Sequence, residues 1–168
     1  MRTERGLTVV ELLVAMVIAA VMMTFAIPAF NDFTSQRRMT SSVNSVVAAV
    51  NYARNEAARQ ATAVSVQAVD ASDRDSEWGA GFCVTLGNPG DCDVAMQNFA
   101  AAGEGLSLDG TDGFDGGDSW TFNSRGVLTN VAVGSVEICG EDADDDPGRR
   151  LRINATGRVS VIDLDCFP

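Results

Sequence analysis

Gly6-Leu7-Thr8-Val9-Val10-Glu11 runs straight into Leu12-Leu13-Val14-Ala15-Met16-Val17-Ile18-Ala19-Ala20-Val21-Met22-Met23, and this stretch decides how the rest of the chain is read. It sets one carboxylate, Glu11, inside an apolar helix. An ionisable group at membrane depth costs about 2.5–3.5 kcal/mol even on lenient insertion scales, so it calls for a partner and a role. The plainer reading is a helix-start preference, since a carboxylate in the first turn gains about 0.3–1 kcal/mol from the macrodipole. One turn of helix does not lift Glu11 clear of a bilayer that also holds Leu7. From Leu7 to Phe30 the only residues that are not apolar are Thr8, Glu11, Thr24 and Pro28. At about 1.5 Å rise per residue the segment is long enough to span a hydrocarbon core.

The flanks orient the span. Arg2 and Arg5 precede it and no basic residue follows until Arg37-Arg38, which places the leader in the cytoplasm and the remainder outside. The glycine stands before the apolar run, and no small-x-small site with a polar start follows it, unlike an ordinary secretory signal. Pro28 removes a backbone donor and marks a kink or an end of the helix. Beyond it the pattern turns amphipathic, with Val43, Val46, Val47, Val50, Ala53 and Ala57 at three- and four-residue spacings. Phe30 and Phe33 add bulk just past the span.

From about Thr62 onward the chain reads as strands and turns. Thr62–Val69, Gly81–Leu86, Ser119–Asn123, Val127–Val133, Gly134–Cys139, Arg149–Asn154 and Arg158–Leu164 are β-branched or aromatic runs between Gly, Asp, Asn and Pro clusters. The glycine-rich stretch Gly103–Asp118 reads as loop, and no internal repeat stands out. One long helix followed by an antiparallel sheet is an α+β fold, and the β region is one domain with one core.

The net charge is −11, from 23 acidic and 12 basic residues, with no histidine. An acidic exterior opposes generalised nucleic-acid binding. The acids gather at Asp109, Asp112, Asp115 and Asp118, and again at Glu141, Asp142, Asp144, Asp145 and Asp146. Neither run has the ligand spacing of an EF-hand, so both read as solvated loops rather than calcium sites. Cys83, Cys92, Cys139 and Cys166 all lie in the part expected outside the cytoplasm, where oxidation is favoured. Several connectivities are open. Cys83 with Cys92 closes a short loop through Asn88-Pro89-Gly90, and Cys139 with Cys166 ties down the C-terminus. No C-x-x-C pair or histidine supplies a zinc site, so no metal and no cofactor is expected. Without histidine, lysine or a phosphate-binding glycine loop, an enzyme is not expected either.

The N-terminal pattern resembles the class III signal of type IV prepilins and pseudopilins. That resemblance implies cleavage by prepilin peptidase between Gly6 and Leu7 and N-methylation of Leu7. It also implies that Glu11 pairs with the amino terminus of a neighbouring subunit during assembly, and that the helix has a weak point near Pro28. Leu7 stands where phenylalanine is commoner, and Val9-Val10 where Leu-Ile is usual. Further on, Asn51-Tyr52-Ala53-Arg54-Asn55-Glu56-Ala57-Ala58-Arg59-Gln60, Trp78-Gly79-Ala80-Gly81-Phe82, and Gly148-Arg149-Arg150-Leu151-Arg152-Ile153 leading to Thr156-Gly157-Arg158-Val159 are similar to FimT/GspH-type minor pilins and pseudopilins. The expected organisation is a leader at 1–6, a transmembrane and filament-core helix at 7–30, its amphipathic continuation at 31–61, and an extracytoplasmic β domain, in two sheets, at 62–168. The implied function is that of a minor pilin at or near the tip of a type IV pilus, or else a minor pseudopilin of type II secretion. Its implied partners are other pilins, the peptidase and, before assembly, the bacterial inner membrane, with the C-terminal domain in the periplasm.

A geometric expectation concerns the last hairpin. If Ala155-Thr156-Gly157 is a three-residue loop with Gly157 left-handed, Ile153 faces Val159 and Leu151 faces Val161, all four toward the core. Arg150, Arg152 and Arg158 then form an outer cationic strip with Asn154 and Ser160 between them. Some FimT-type minor pilins bind DNA through C-terminal arginines, so the resemblance makes Arg149, Arg150, Arg152 and Arg158 the candidate DNA-binding residues. The competing reading pairs them with Glu141–Asp146, Asp163 or Asp165. Asn154-Ala155-Thr156 matches a glycosylation sequon but reads as turn chemistry in a bacterial chain.

Overall fold

The computed structural model describes residues 8–69, 78–100, 102–103, 105–111, 119–129, 134–140 and 147–166, with the backbone alone at 28, 29, 32 and 147. The chain divides into two compact units, Met1–Arg37 and Arg38–Pro168.

Helix α1, Val9–Gln60, begins in the first unit and continues into the second. Its start is capped by Thr8, whose Oγ1 accepts from the Glu11 amide at 3.2 Å while the Thr8 carbonyl accepts from Leu12 N at 3.2 Å. Thr-x-x-Glu before an apolar run is the spacing of a capping box. The stretch Val9–Ile27 is long and apolar enough to cross a membrane, and every side chain from Thr8 to Ile27 is exposed within the isolated chain. Thr24 and Thr34 turn their hydroxyls back onto the carbonyls of Ala20 and Phe30, at 3.0 and 2.8 Å. A hydroxyl satisfied in this way sits in an apolar span without an orphaned donor. The helix runs through position 28 without a break.

In the second unit the helix turns one stripe inward: Met39, Ser42, Val46, Ala49, Val50, Ala53 and Ala57 are buried, and Val43 and Val47 flank them half-buried. The helix closes at Ala61, which takes φ +52°, with Thr62 N reaching Ala57 O at 3.3 Å.

Two antiparallel four-stranded sheets follow. The first is built from β1 (Val64–Ala68), β2 (Phe82–Leu86), β3 (Gln97–Phe99) and β5 (Ser119–Phe122), in the order β3-β2-β1-β5. The second contains β4 (Leu106–Thr111), β6 (Ser135–Gly140), β7 (Pro147–Ile153) and β8 (Val159–Asp165), in the order β4-β6-β7-β8. Val64, Val66, Phe82, Val84, Trp120 and Phe122 of the first sheet, and Leu106, Leu108, Val136, Ile138, Leu151 and Ile153 of the second, join the helix stripe in one core. Trp78 stands between the sheets, with its ring centroid 4.9 Å from that of Trp120 and its amide on the Leu108 carbonyl at 3.0 Å. Every buried member of this core lies between Met39 and Ile153, so the second unit carries a complete core of its own.

Three expectations are corrected. β4 runs through the stretch read as loop, because Leu106, Leu108 and Gly110 alternate inward in a glycine-rich context that hides the period. β3 is a strand of three residues that the sequence reading passed over. Within Val127–Val133, the described part holds only an isolated bridge from Leu128 to Phe122, and 130–133 fall outside the described residues.

Candidate functional site

The two ends of the chain carry the candidate functional residues. Gly6 and Leu7 lie outside the described residues. Glu11 is described: it sits in the first turn of α1, exposed, with its amide held by Thr8. The backbone at Glu11 is thereby held in the first turn, at the entry of an exposed apolar helix. Pro28 lies within the helical stretch, and its lack of an N–H leaves the Thr24 carbonyl without the usual donor four residues on.

At the other end the disulfides are Cys83–Cys92 and Cys139–Cys166, with Cα–Cα separations of 5.7 and 5.8 Å. The first clips the 87–92 loop to the outer face of the first sheet, where Gln67 also engages Gly90 through both its amide atoms. Within that loop Asp91 caps the 3-10 turn Cys92–Val94 by accepting from Asp93 N at 2.9 Å. The second fastens the end of β8 across β7 onto β6. It crosses Gly148, where a Cβ would stand 2.1 Å from Cys166 Sγ and 2.8 Å from the Ile138 carbonyl. Glycine is therefore obligatory beneath the bridge, a constraint that no local sequence pattern announced.

The last hairpin has the expected register: Ile153 faces Val159 and Leu151 faces Val161, and Gly157 is left-handed at φ +75°. Its burial differs from expectation. Leu151 and Ile153 are in the core and Val159 is half-buried, but Val161 is 43% exposed because β8 is the last strand of its sheet and overhangs the core.

The strip of arginines is also divided. Arg150 lies directly across from Glu137 on β6 and is bound to it, Nε to Oε1 at 2.6 Å. Arg149 shares the other face with Leu151 and pairs with Asp163 at 3.0 Å. Arg152 and Arg158 are exposed. The four residues are thus not one free cationic surface. Asp163 is among the acids the sequence reading held against them, whereas Glu137 was overlooked although it alternates outward in its strand. The run Glu141–Asp146 falls outside the described residues.

The expected turn of the last hairpin has a counterpart that the sequence reading passed over. Asn123-Ser124-Arg125-Gly126 and Asn154-Ala155-Thr156-Gly157 share the pattern Asn-x-x-Gly. Each glycine amide donates to the asparagine carbonyl, at 2.8 and 2.7 Å, and each glycine has positive φ. Each asparagine Oδ1 caps its own turn, accepting from Arg125 N and from Arg158 N, both at 2.9 Å. The turns touch: Leu128 N donates to Ala155 O at 3.2 Å, and a Cβ on Gly157 would stand 2.9 Å from Gly126 O and 2.8 Å from Arg54 Nε. Arg54 of α1 reaches between them and donates from Nε to Gly126 O at 3.1 Å.

An apolar, Glu-bearing helix that becomes amphipathic under two antiparallel sheets defines a pilin-type filament subunit. Residues 42–157 match the family model of the type II transport protein GspH, and residues 1–27 match the prokaryotic N-terminal methylation motif; the chain belongs to the GspH family. Its fold is that of the type IV minor pilin FimU of Pseudomonas aeruginosa strain PAO1, at 26% identity and a TM-score of 0.62 over 77% of this chain and 92% of that one. A second crystal form of FimU gives 27% identity and a TM-score of 0.57 over 73% and 91% of the two chains. The minor pseudopilin EpsH from the type 2 secretion system of Vibrio cholerae shares the fold, at 16% identity and a TM-score of 0.53 over 75% and 97%. No curated protein sequence matches significantly. The chain is a minor pilin or pseudopilin, a membrane-anchored structural component of a type IV pilus or a type II secretion filament.

Proposed function

We propose that the chain is a minor pilin of a type IV pilus, cut by prepilin peptidase after Gly6, methylated at Leu7 and inserted at or near the filament tip. The observation that carries this reading is the likeness to FimU, higher in both identity and TM-score than the likeness to EpsH. Glu11, held at the helix entry by Thr8, is the group that meets the amino terminus of a neighbouring subunit. Before assembly the helix sits in the inner membrane with the folded unit on the periplasmic side, and Pro28 is the point where it yields on entering the filament. The name of the matching family favours a second reading, a minor pseudopilin of type II secretion.

A chromosomal deletion separates the two: loss of surface pili with protein secretion intact is expected, and the reverse pattern assigns the chain to secretion. Processing has its own test. Gly6→Ala is expected to accumulate the uncut precursor on a gel, and a mature-sized band from that variant would sink the leader assignment.

A further inference from the structure

On a chain of net charge −11, Phe33–Asn55, Ser119–Val136 and Pro147–Ile162 are three of the stretches that contain no acid. The fold brings one arginine from each to one place. Arg54 is wedged between Gly126 and Gly157, Arg125 precedes the first of these glycines and Arg158 follows the second. Arg125 and Arg158 are exposed, and Arg54 spends its Nε on the Gly126 carbonyl, which leaves its terminal nitrogens as free donors among the described residues. The ion pairs Arg59–Glu56, Arg149–Asp163 and Arg150–Glu137 involve none of them. Each arginine is fixed at its backbone: two by Asn-capped turns with left-handed glycines, the third by a helix face packed on the core.

We propose that this corner, Arg54, Arg125 and Arg158 around the paired turns, is a docking site for an acidic segment of a neighbouring pilin-type subunit. The choice of partner rests on the filament-subunit reading; the site itself does not. Guanidinium forks on rigid turns suit carboxylates, which they bind in two-point geometry. The charge around the corner then selects what docks. A long polyanion such as nucleic acid lies across more surface than three arginines cover, and the acidic remainder repels it. A short run of carboxylates projecting from a protein loop fits the corner and avoids that repulsion. On a subunit of net negative charge, a positive corner also favours one orientation of an acidic partner.

The test uses the unit Arg38–Pro168, which holds the whole core and both disulfides, labelled with 15N and titrated with a hexaglutamate peptide at low salt. Shifts are expected at the Nε–H signals of Arg54, Arg125 and Arg158 and at the Gly126 and Gly157 amides. Arg125→Glu with Arg158→Glu is expected to weaken binding at least tenfold with an unchanged melting temperature, and 0.3 M salt to weaken it as well. Arg125→Gln with Arg158→Gln repeats the test without new charge. Absence of shifts at these signals, or undiminished binding by both double variants, overturns the site. A 12-nucleotide single-stranded DNA or phosphatidylglycerol vesicles moving the same signals at tenfold lower concentration overturns the choice of an acidic protein partner. The reading is made in solution without a filament, so its failure is separate from that of the Gly6→Ala experiment.

Discussion

Ala61 ends the long helix in a backbone conformation that a side chain resists. Its φ of +52° lies in the left-handed region, and Thr62 N closes the helix onto Ala57 O, which is the glycine position of a helix C-terminus. A Cβ there costs about 1 kcal/mol. Ala61→Gly should therefore stabilise the folded unit by about 0.5–1 kcal/mol, read as a rise of a few degrees in melting temperature. Gly157 is the opposite case. It has φ +75° and no room for a Cβ between Arg54 and Gly126, so Gly157→Ala should lose about 2 kcal/mol or more in denaturant melts. A loss as small as that of an exposed surface change would mean that the two turns do not hold each other. Gly157 was legible as a turn residue; its contact with Arg54, more than a hundred positions earlier, was not, because it arises from packing and not from local pattern.

The elements show the same division between local and distant causes. The helix stripe, most of the strands and the register of the last hairpin follow from period, β-branching and turn chemistry, all of which act over a few residues. β4 escaped because Gly105, Asp109 and Gly110 flank its inward Leu106 and Leu108, and Val161 was misplaced because alternation gives a face but not whether anything covers it. The disulfides belong to this scale because each fastens one element to another. Cys83–Cys92 spans 9 positions and Cys139–Cys166 spans 27, so on the chain-entropy model the second constrains the unfolded chain more, by about 3.6 against about 2.7 kcal/mol. It is also the tie that carries β8 past its neighbour β7 to β6, since the Arg149–Asp163 pair and the hydrogen bonds reach only β7 and Val159 alone of the strand packs on the core. Replacing Cys139 and Cys166 by serine should cost more stability than replacing Cys83 and Cys92. In the first variant, amide exchange should accelerate specifically along Val159–Asp165; uniform acceleration across both sheets would show that β8 is not a separate layer of stability.

At the scale of the whole molecule, the two units stand in opposite relations to water. From Thr8 to Ile27 every side chain is exposed in the isolated chain, and nearly all are apolar, which is tenable only in lipid or among other such helices. The unit Arg38–Pro168 buries its apolar stripe against its own sheets, holds both disulfides and contains most of the chain's acidic residues. A filament subunit needs this asymmetry: one half cannot rest until it has neighbours, and the other is already folded when it meets them. Removing Met1–Arg37 should accordingly leave a soluble monomer that unfolds in one cooperative step and melts within a few degrees of the full chain in detergent. Dispersity by light scattering and two-state analysis of circular dichroism melts check this. A truncated unit that aggregates, or that melts far below the full chain, would show that the apolar half of the helix supports the β domain as well as anchoring it.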